Sequence, residues 1–422
     1  MIHSSYYRPR IFPVLGLGDD AEIDRAQAID PTITLNREKI EEIGRDGVVG
    51  YQKTSPTIGY SLTQYEYGNI EFWQKLVNSN TLGAVGQDEI TLNDFKTPYF
   101  DICAYLTDDD GTFKGTIWYP ALRTTGFSLT IGEPQGIIER GFDFVGEKAV
   151  IWQGDNKYLI VKKITWASGD TDIDLGATGV QVPAIDPTKD ETAYTDAEKY
   201  ILRVVKVSGS TSTVLVADTD YEYDDATKLL TFMTGSEPST GDIIRVYYTS
   251  ATAPDTIFSL NDADPAGLTG EGASIYLYIP ATGKPSSSDY MYRLQSVTIE
   301  VTFDREDVRE IGNREVVARG VRNSTVAVTL GRILEKFTVE EVLAGEAPDF
   351  GKIDVENLSD DIALIVKIFD DNTKTTFKYG FKATGLSPTE IRGGAGIDEY
   401  VRKDTSLEGE ELIITADSTK LV

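Results

Sequence analysis

The sequence predicts a mainly β protein: two tandem copies of one sandwich- or barrel-like unit, each with a flanking helix, separated by an inserted small β-sandwich. Three observations predict it. Period-two alternation of apolar and polar residues dominates both ends of the chain. Residues 34–49, TLNREKIEEIGRDGVV, align without a gap on 302–317, TFDREDVREIGNREVV, at an offset of 268, with 8 of 16 positions identical. Between these copies lies an acidic stretch. From Ser168 to Tyr290 there are 20 Asp and Glu against 7 Lys and Arg, a net of −13 out of the chain's −28. The expected divisions are an N-terminal arm (1–24), a first copy (25–165), an inserted acidic β domain (166–290) and a second copy (291–422).

Taken in order, the offset of 268 also pairs Arg25 with Arg293, Gln27 with Gln295, Thr57 with Thr325, Ile58 with Val326, Tyr60 with Val328 and Leu62 with Leu330. The stretch Arg37 to Ile43 reads either as one helical turn, since Ile40 and Ile43 are three apart, or as a loop between strands. Ile58, Tyr60 and Leu62 alternate with polar residues as a strand does. Ile70 to Val77 puts Trp73, Leu76 and Val77 on one helical face, and Ile333 to Leu343 is its expected counterpart. Ile117, Tyr119 and Ala121 form another alternating strand. The acidic tip Asp108 to Gly111 answers Asp370 to Asn372, and Gly126-Phe127-Ser128 answers Gly385-Leu386-Ser387. In the insert, strands are expected at 201–207, 214–216, 229–232, 243–248 and 275–279, broken by Ser-, Gly-, Pro- and Asp-rich turns. In the second copy Val297, Ile299, Val301 and Phe303 alternate, as do Ile362, Leu364, Val366 and Ile368. Phe377, Tyr379 and Phe381 follow the Asp371-Asn372 turn as the second arm of a hairpin.

The composition, 40% hydrophobic and 26% charged, is that of an ordinary globular protein. The apolar run Ile11 to Gly18 contains Pro and Gly and is followed by acidic residues rather than a small-residue cleavage site, so no N-terminal signal is expected. No stretch approaches the roughly 18 apolar residues that span a bilayer. Cys103 is the only cysteine, which excludes an internal disulfide and a thiolate zinc site. His3 is the only histidine, so histidine-assisted catalysis and histidine-ligated metals would all have to use it. An enzyme is not expected, nor is a cofactor. A charge of −28 repels nucleic acid and anionic lipid.

Asp170, Asp172 and Asp174 begin like a calcium loop, but Gly176 falls one place late and Gln181 stands where a bidentate Glu would be. The stretch reads as a solvated acidic linker. Asp218, Asp220, Glu222 and Asp224 alternate with Tyr221 and Tyr223, either as a charged edge that resists aggregation or as a cation site. The polar set kept in both copies is Arg37, Glu38, Glu42 and Gly44 with Arg305, Glu306, Glu310 and Gly312. It either maintains the fold of each copy or contacts a neighbouring subunit.

The pattern Arg-Glu-x-hydrophobic-x-Glu-Ile-Gly-x-x-x-Val-Val, followed by an alternating strand and Phe72-Trp73-x-x-Leu76, resembles the tail tube (major tail) proteins of long-tailed double-stranded DNA viruses. Arg140 to Gly146 resembles their C-terminal strand and loop. The resemblance covers both copies and not the insert. It implies a β-sandwich unit with a helix on its flank, whose sheets join around a ring. It further implies rings stacked into a hollow tube through which the genome is delivered. Family members carry one unit and form hexameric rings, so two units per chain imply trimeric rings. The implied partners are the chain itself, other tail proteins and the tape measure protein. DNA would pass through the lumen without specific binding, and no membrane is involved. The implied location is the virion tail, assembled in the host cytoplasm. The eight repeated polar residues would then lie at the self-assembly interface. The insert would sit on the tube exterior, and excising 170–288 would leave assembly largely intact. Another virion or surface β subunit (a distal tail, decoration or surface-layer protein) is the alternative reading.

Overall fold

The computed structural model describes residues 8–12, 23, 26–41, 48–53, 55–68, 70–77, 89–107, 113–153, 157–176, 180–181, 194–208, 211–251, 267–282, 291, 294–309, 316–334, 338–344, 358–394 and 401–421. The first half holds β1 (Arg8–Phe12), β2 (Ala26–Thr34), β3 (Arg37–Glu41), β4 (Val48–Lys53), β5 (Thr57–Tyr65), α1 (Glu71–Val77), β6 (Glu89–Thr91), β7 (Phe100–Thr107), β8 (Phe113–Ile131), β9 (Glu139–Gly146) and β10 (Val150–Gln153). The middle holds β11 (Tyr158–Thr165), β12 (Asp172–Asp174), β13 (Val180–Gln181), α2 (Asp196–Tyr200), β14 (Ile201–Ser208), β15 (Thr211–Leu215), β16 (Tyr221–Asp224), β17 (Leu229–Phe232) and β18 (Ile243–Ser250). The last part holds β19 (Ala273–Tyr278), β20 (Leu294–Arg309), β21 (Val316–Ile333), α3 (Thr338–Leu343), β22 (Ile362–Phe369), β23 (Phe377–Gly394), β24 (Arg402–Gly409) and β25 (Glu411–Thr415).

The protein is mainly β. One antiparallel sheet takes strands from both halves. The first half runs β1-β7-β8-β9-β5-β2 and the last runs β19-β22-β23-β24-β21-β20. They join where β20 pairs β8, from Val297 opposite Ile131 to Thr302 opposite Gly126, and where β6 adds to β25. Moved by 268, the outer bounds of β2 and β3 fall on those of β20, and the outer bounds of β4 and β5 fall on those of β21. Alternation does what the sequence requires of it: Val297, Ile299, Val301 and Phe303 are buried while Glu300, Thr302 and Asp304 face outward. Trp73 of α1 centres the core, 5.0 Å from Phe127, 4.9 Å from Phe142 and 5.7 Å from Phe381 between ring centroids. Both halves therefore share one core.

Three local expectations are corrected. Arg37–Glu41 is neither a helical turn nor a loop but a strand, because β4 offers a complete antiparallel partner for it. Ile333, expected in the helix, is the last residue of β21, and the described helix runs Thr338–Leu343. Gly385 stands level with Ala121 rather than Gly126, since Phe100 opposes Leu122 as Ile362 opposes Leu386. Ala121 (φ 55°) and Gly385 (φ 64°) are both left-handed. There each long strand turns from one set of neighbours to the next, β8 leaving β7 for β9 and β23 leaving β22 for β24. At Ala121 the cost of that conformation, about 1 kcal/mol, is offset by its N–H donating to Oδ1 of buried Asp101 at 2.8 Å. The tip Asp108 to Gly111 lies outside the described residues.

The middle forms a β11-β18-β14-β15 sheet, with β13 on β18, and a separate β12-β17-β16 sheet. They enclose Trp166, Ile173, Val204, Tyr221, Leu230 and Val246. Two bounds differ from expectation. β11, placed in the first copy, pairs along its length with β18, and β19, placed in the insert, pairs with β22. A strand's alternation specifies which face is buried, not which strand lies beside it.

Nor is the middle an appendage. Trp118 and Trp152, from β8 and β10, pack with Tyr247 of β18 in a cluster that includes Cys103, Val161 and Val205. Arg203 of β14 pairs with the buried carboxylate of Asp101 and lies 4.1 Å over the Tyr247 ring. Excising 170–288 would remove β19, strip β11 of its partner and open this cluster. The expectation that assembly survives that deletion is therefore reversed: the shortened chain should aggregate and be cut rapidly in limited proteolysis. A soluble, protease-resistant deletion protein would contradict the shared core.

Candidate assembly interface

The joint between β8 and β20 is built from their sequences upward. Phe303 of β20 stacks on Phe95 (centroids 5.7 Å apart, 30° between planes) and packs on Phe127 of β8 at 6.1 Å. Gly126 lets the strands close: a Cβ there would sit 2.8 Å from the Val301 carbonyl oxygen. Two residues beyond Phe303, Arg305 crosses the joint. Its Nε donates to the Thr124 carbonyl (2.5 Å), Nη1 to that of Lys96 (3.1 Å) and Nη2 to that of Phe95 (2.9 Å). Burial, with Arg123 and Arg319 nearby, lowers this guanidinium to about 10. It remains charged at neutral pH, and three carbonyl dipoles replace the water it lost. Arg319 of β21 adds a bond to Glu147 of the first half at 3.3 Å while also holding Asp307.

Among the described members of the repeated polar set, Arg305 thus ties one half to the other. Arg37, at the same place in the repeat, is exposed on β3. The difference extends along the strand: Ile33 is 45% and Leu35 62% exposed, against 1% for Val301 and 2% for Phe303. Glu38 and Glu306 are exposed, and Glu306 faces the equally exposed Arg322 at 3.5 Å, a pair contributing well under about 1 kcal/mol. Neither glutamate is brought to the joint. Glu42, Gly44, Glu310 and Gly312 lie outside the described residues, as does His3.

The acidic motifs serve turns. Asp170 accepts from the Ala167 N–H, and Asp174 from that of Gly176, both at 2.7 Å. Asp220 accepts from the Val216 N–H and the Ser236 hydroxyl, which holds it below the ordinary carboxylate range. Asp224 does the same with the Thr227 hydroxyl and the Ala226 N–H. Among the described residues no group of three or more His, Cys, Asp or Glu is placed to hold a metal ion. Cys103 is buried, and burial raises its thiol. No described helix is long and apolar enough to cross a membrane.

The roles of two further features are not predicted from the local sequence pattern. Gly126 inside an alternating strand carried a readable signal, since such a glycine marks close backbone approach. Buried Glu66, Arg140 and Tyr379 carried none, being far apart in the chain: Arg140 Nη1 lies 3.2 Å from Glu66 Oε2, and the Tyr379 hydroxyl donates to the same oxygen. No family model matches the chain, and no curated protein matches it.

Proposed function

We propose that the chain is a structural subunit of a viral tail tube, holding two copies of one tube unit, so that three chains close a ring of six units and rings stack into a hollow tube. The observation that carries the reading is the repeated strand order, β1-β7-β8-β9-β5-β2 and β19-β22-β23-β24-β21-β20, joined edge to edge through β8 and β20. Two units fused side by side in one chain are what a ring of such units looks like over one third of its circumference. The resemblance of Arg37–Val49 and Arg305–Val317 to tail tube proteins supplies the rest: genome delivery through the lumen, and other tail proteins and a tape measure protein as partners. The acidic excess suits a conduit for DNA, because it repels phosphate instead of retaining it. No nucleophile or cofactor is needed for this role.

Negative-stain microscopy of the purified full chain tests the reading. Long hollow tubes built from three-chain rings are expected. Closed rings that never stack would favour a distal tail or decoration subunit, and six chains per ring would contradict the stoichiometry.

A further inference from the structure

We infer that the exposed edge of β2 pairs antiparallel with residues 391–394 of β23 in a second copy of this chain, Ile33 opposite Ile391, Thr32 opposite Arg392, Pro31 opposite Gly393 and Asp30 opposite Gly394. The inference deepens the tube reading and rests on it for the closure of the ring. Its template is the joint inside the chain. Moving β20 back by 268 and β8 forward by 264 turns the observed Val301–Phe127 pair into Ile33–Ile391, and Thr298–Thr130 into Asp30–Gly394. The second offset is set by structure: the left-handed Ala121 falls on the left-handed Gly385, and the bulge between Thr124 and Gly126 falls on that between Pro388 and Glu390.

Both edges are open among the described residues. β2 pairs β5 on one side only. The 387–394 half of β23 pairs β24 only, whereas the matching half of β8 lies between β9 and β20. The apolar residues left exposed on these edges are those whose counterparts the internal joint buries. Ile33 and Leu35 stand for Val301 and Phe303, and half-buried Ile391 stands for buried Phe127. A third example lies on β10, where Ile151 is 62% exposed while Ile414, its counterpart on β25, is covered by β6 and is 1% exposed. An unpaired strand edge is a template for another chain, and here the missing partner has a known shape.

Charge agrees as well. Asp30 falls diagonally opposite Arg392 on one face of the pairing, within reach of a long side chain. Arg305 donates to the Thr124 carbonyl, and the same two offsets place Arg37 nearest Pro388 of the neighbouring copy. Glu390 replaces Gly126, which forbids the same close approach one pair further on, so the ladder stops at Ile391. Pro31 removes one N–H from the ladder. Each chain offers one edge of each kind, a head-to-tail contact that closes as a ring or runs on as a filament.

The test is a full-length Ile33→Cys/Ile391→Cys chain under mild oxidation. The only native cysteine, Cys103, is buried and will not compete. Disulfide-linked species up to three chains, absent from either single variant and reversed by reductant, are expected. An Ile33→Cys/Arg392→Cys chain, one residue out of register, should link far less. Assembled particles under the microscope without the first cross-link would overturn this pairing and leave the tube reading standing. Stronger linking through Arg392→Cys would overturn the register. Cross-linked rings without tubes would uphold the pairing and count against stacking. A chain that stays monomeric at every concentration would sink both.

Discussion

Glu66→Ala should cost the fold about 3–5 kcal/mol, the usual penalty for removing one partner of a buried ion pair. Glu66, Arg140 and Tyr379 are all fully buried. The Glu66 carboxylate accepts from Arg140 at 3.2 Å and from the Tyr379 hydroxyl, and its other oxygen accepts the Tyr67 and Gly68 N–H groups at 2.9 and 2.7 Å. The Arg140 guanidinium also lies 5.0 Å from the Tyr67 ring centroid and 5.2 Å from that of Phe72. Alanine removes the counter-charge from a guanidinium that is fully buried among aromatic rings. Tyr379 belongs to β23 and the other two residues to the first half, so the loss loosens the halves from each other. Glu66→Gln keeps the volume and the acceptor oxygen and should cost less than half as much. Urea melting of both variants checks this. A Glu66→Ala protein within about 1 kcal/mol of the parent would show that Arg140 has other sufficient partners.

The second large effect is an asymmetry between two arginines with the same neighbours in sequence. Arg305→Ala should destabilise the isolated chain by about 2–4 kcal/mol. It removes three charge-assisted hydrogen bonds and leaves the carbonyls of Phe95, Lys96 and Thr124 without their donor. Arg37→Ala should leave the melting curve of the monomer unchanged, because Arg37 is exposed. The same change should weaken polymerisation, because the proposed joint places Arg37 beside Pro388 of the neighbouring copy. Changing both arginines at once would confuse the two effects, so each is measured alone, by melting and by sedimentation. Normal assembly of the Arg37→Ala chain would reduce the repeated motif to fold maintenance. Equal melting losses from the two single changes would refute the asymmetry.

Much of the architecture was legible locally. Alternation marked the strands at 297–303 and 362–368 and the hairpin after Asp371-Asn372, because side chains of a strand alternate faces whatever lies beside them. Trp73, Leu76 and Val77 marked the buried face of α1 in the same way. The repeat marked where the arginines stand. What stayed illegible was partnership. Nothing near Tyr158 says that β11 belongs with β18, and nothing near Ala273 says that β19 belongs with β22.

The clearest case is the pair of stretches Thr34 to Val49 and Thr302 to Val317, half identical in sequence, in which Leu35 and Arg37 are exposed while Phe303 is buried and Arg305 half-buried. By itself the sequence determined that the two stretches repeat one pattern, with an arginine at the same step, and left Arg37 to Ile43 open between a helical turn and a loop. Only the tertiary structure decided that β20 lies against β8, so that Phe303 and Arg305 are covered, while β2 ends the sheet and leaves Leu35 and Arg37 in solvent. The reason is physical. Strand alternation is set by backbone geometry over a few residues, whereas burial of a strand edge depends on a partner that the chain brings from more than 150 residues away, or that a second copy must supply.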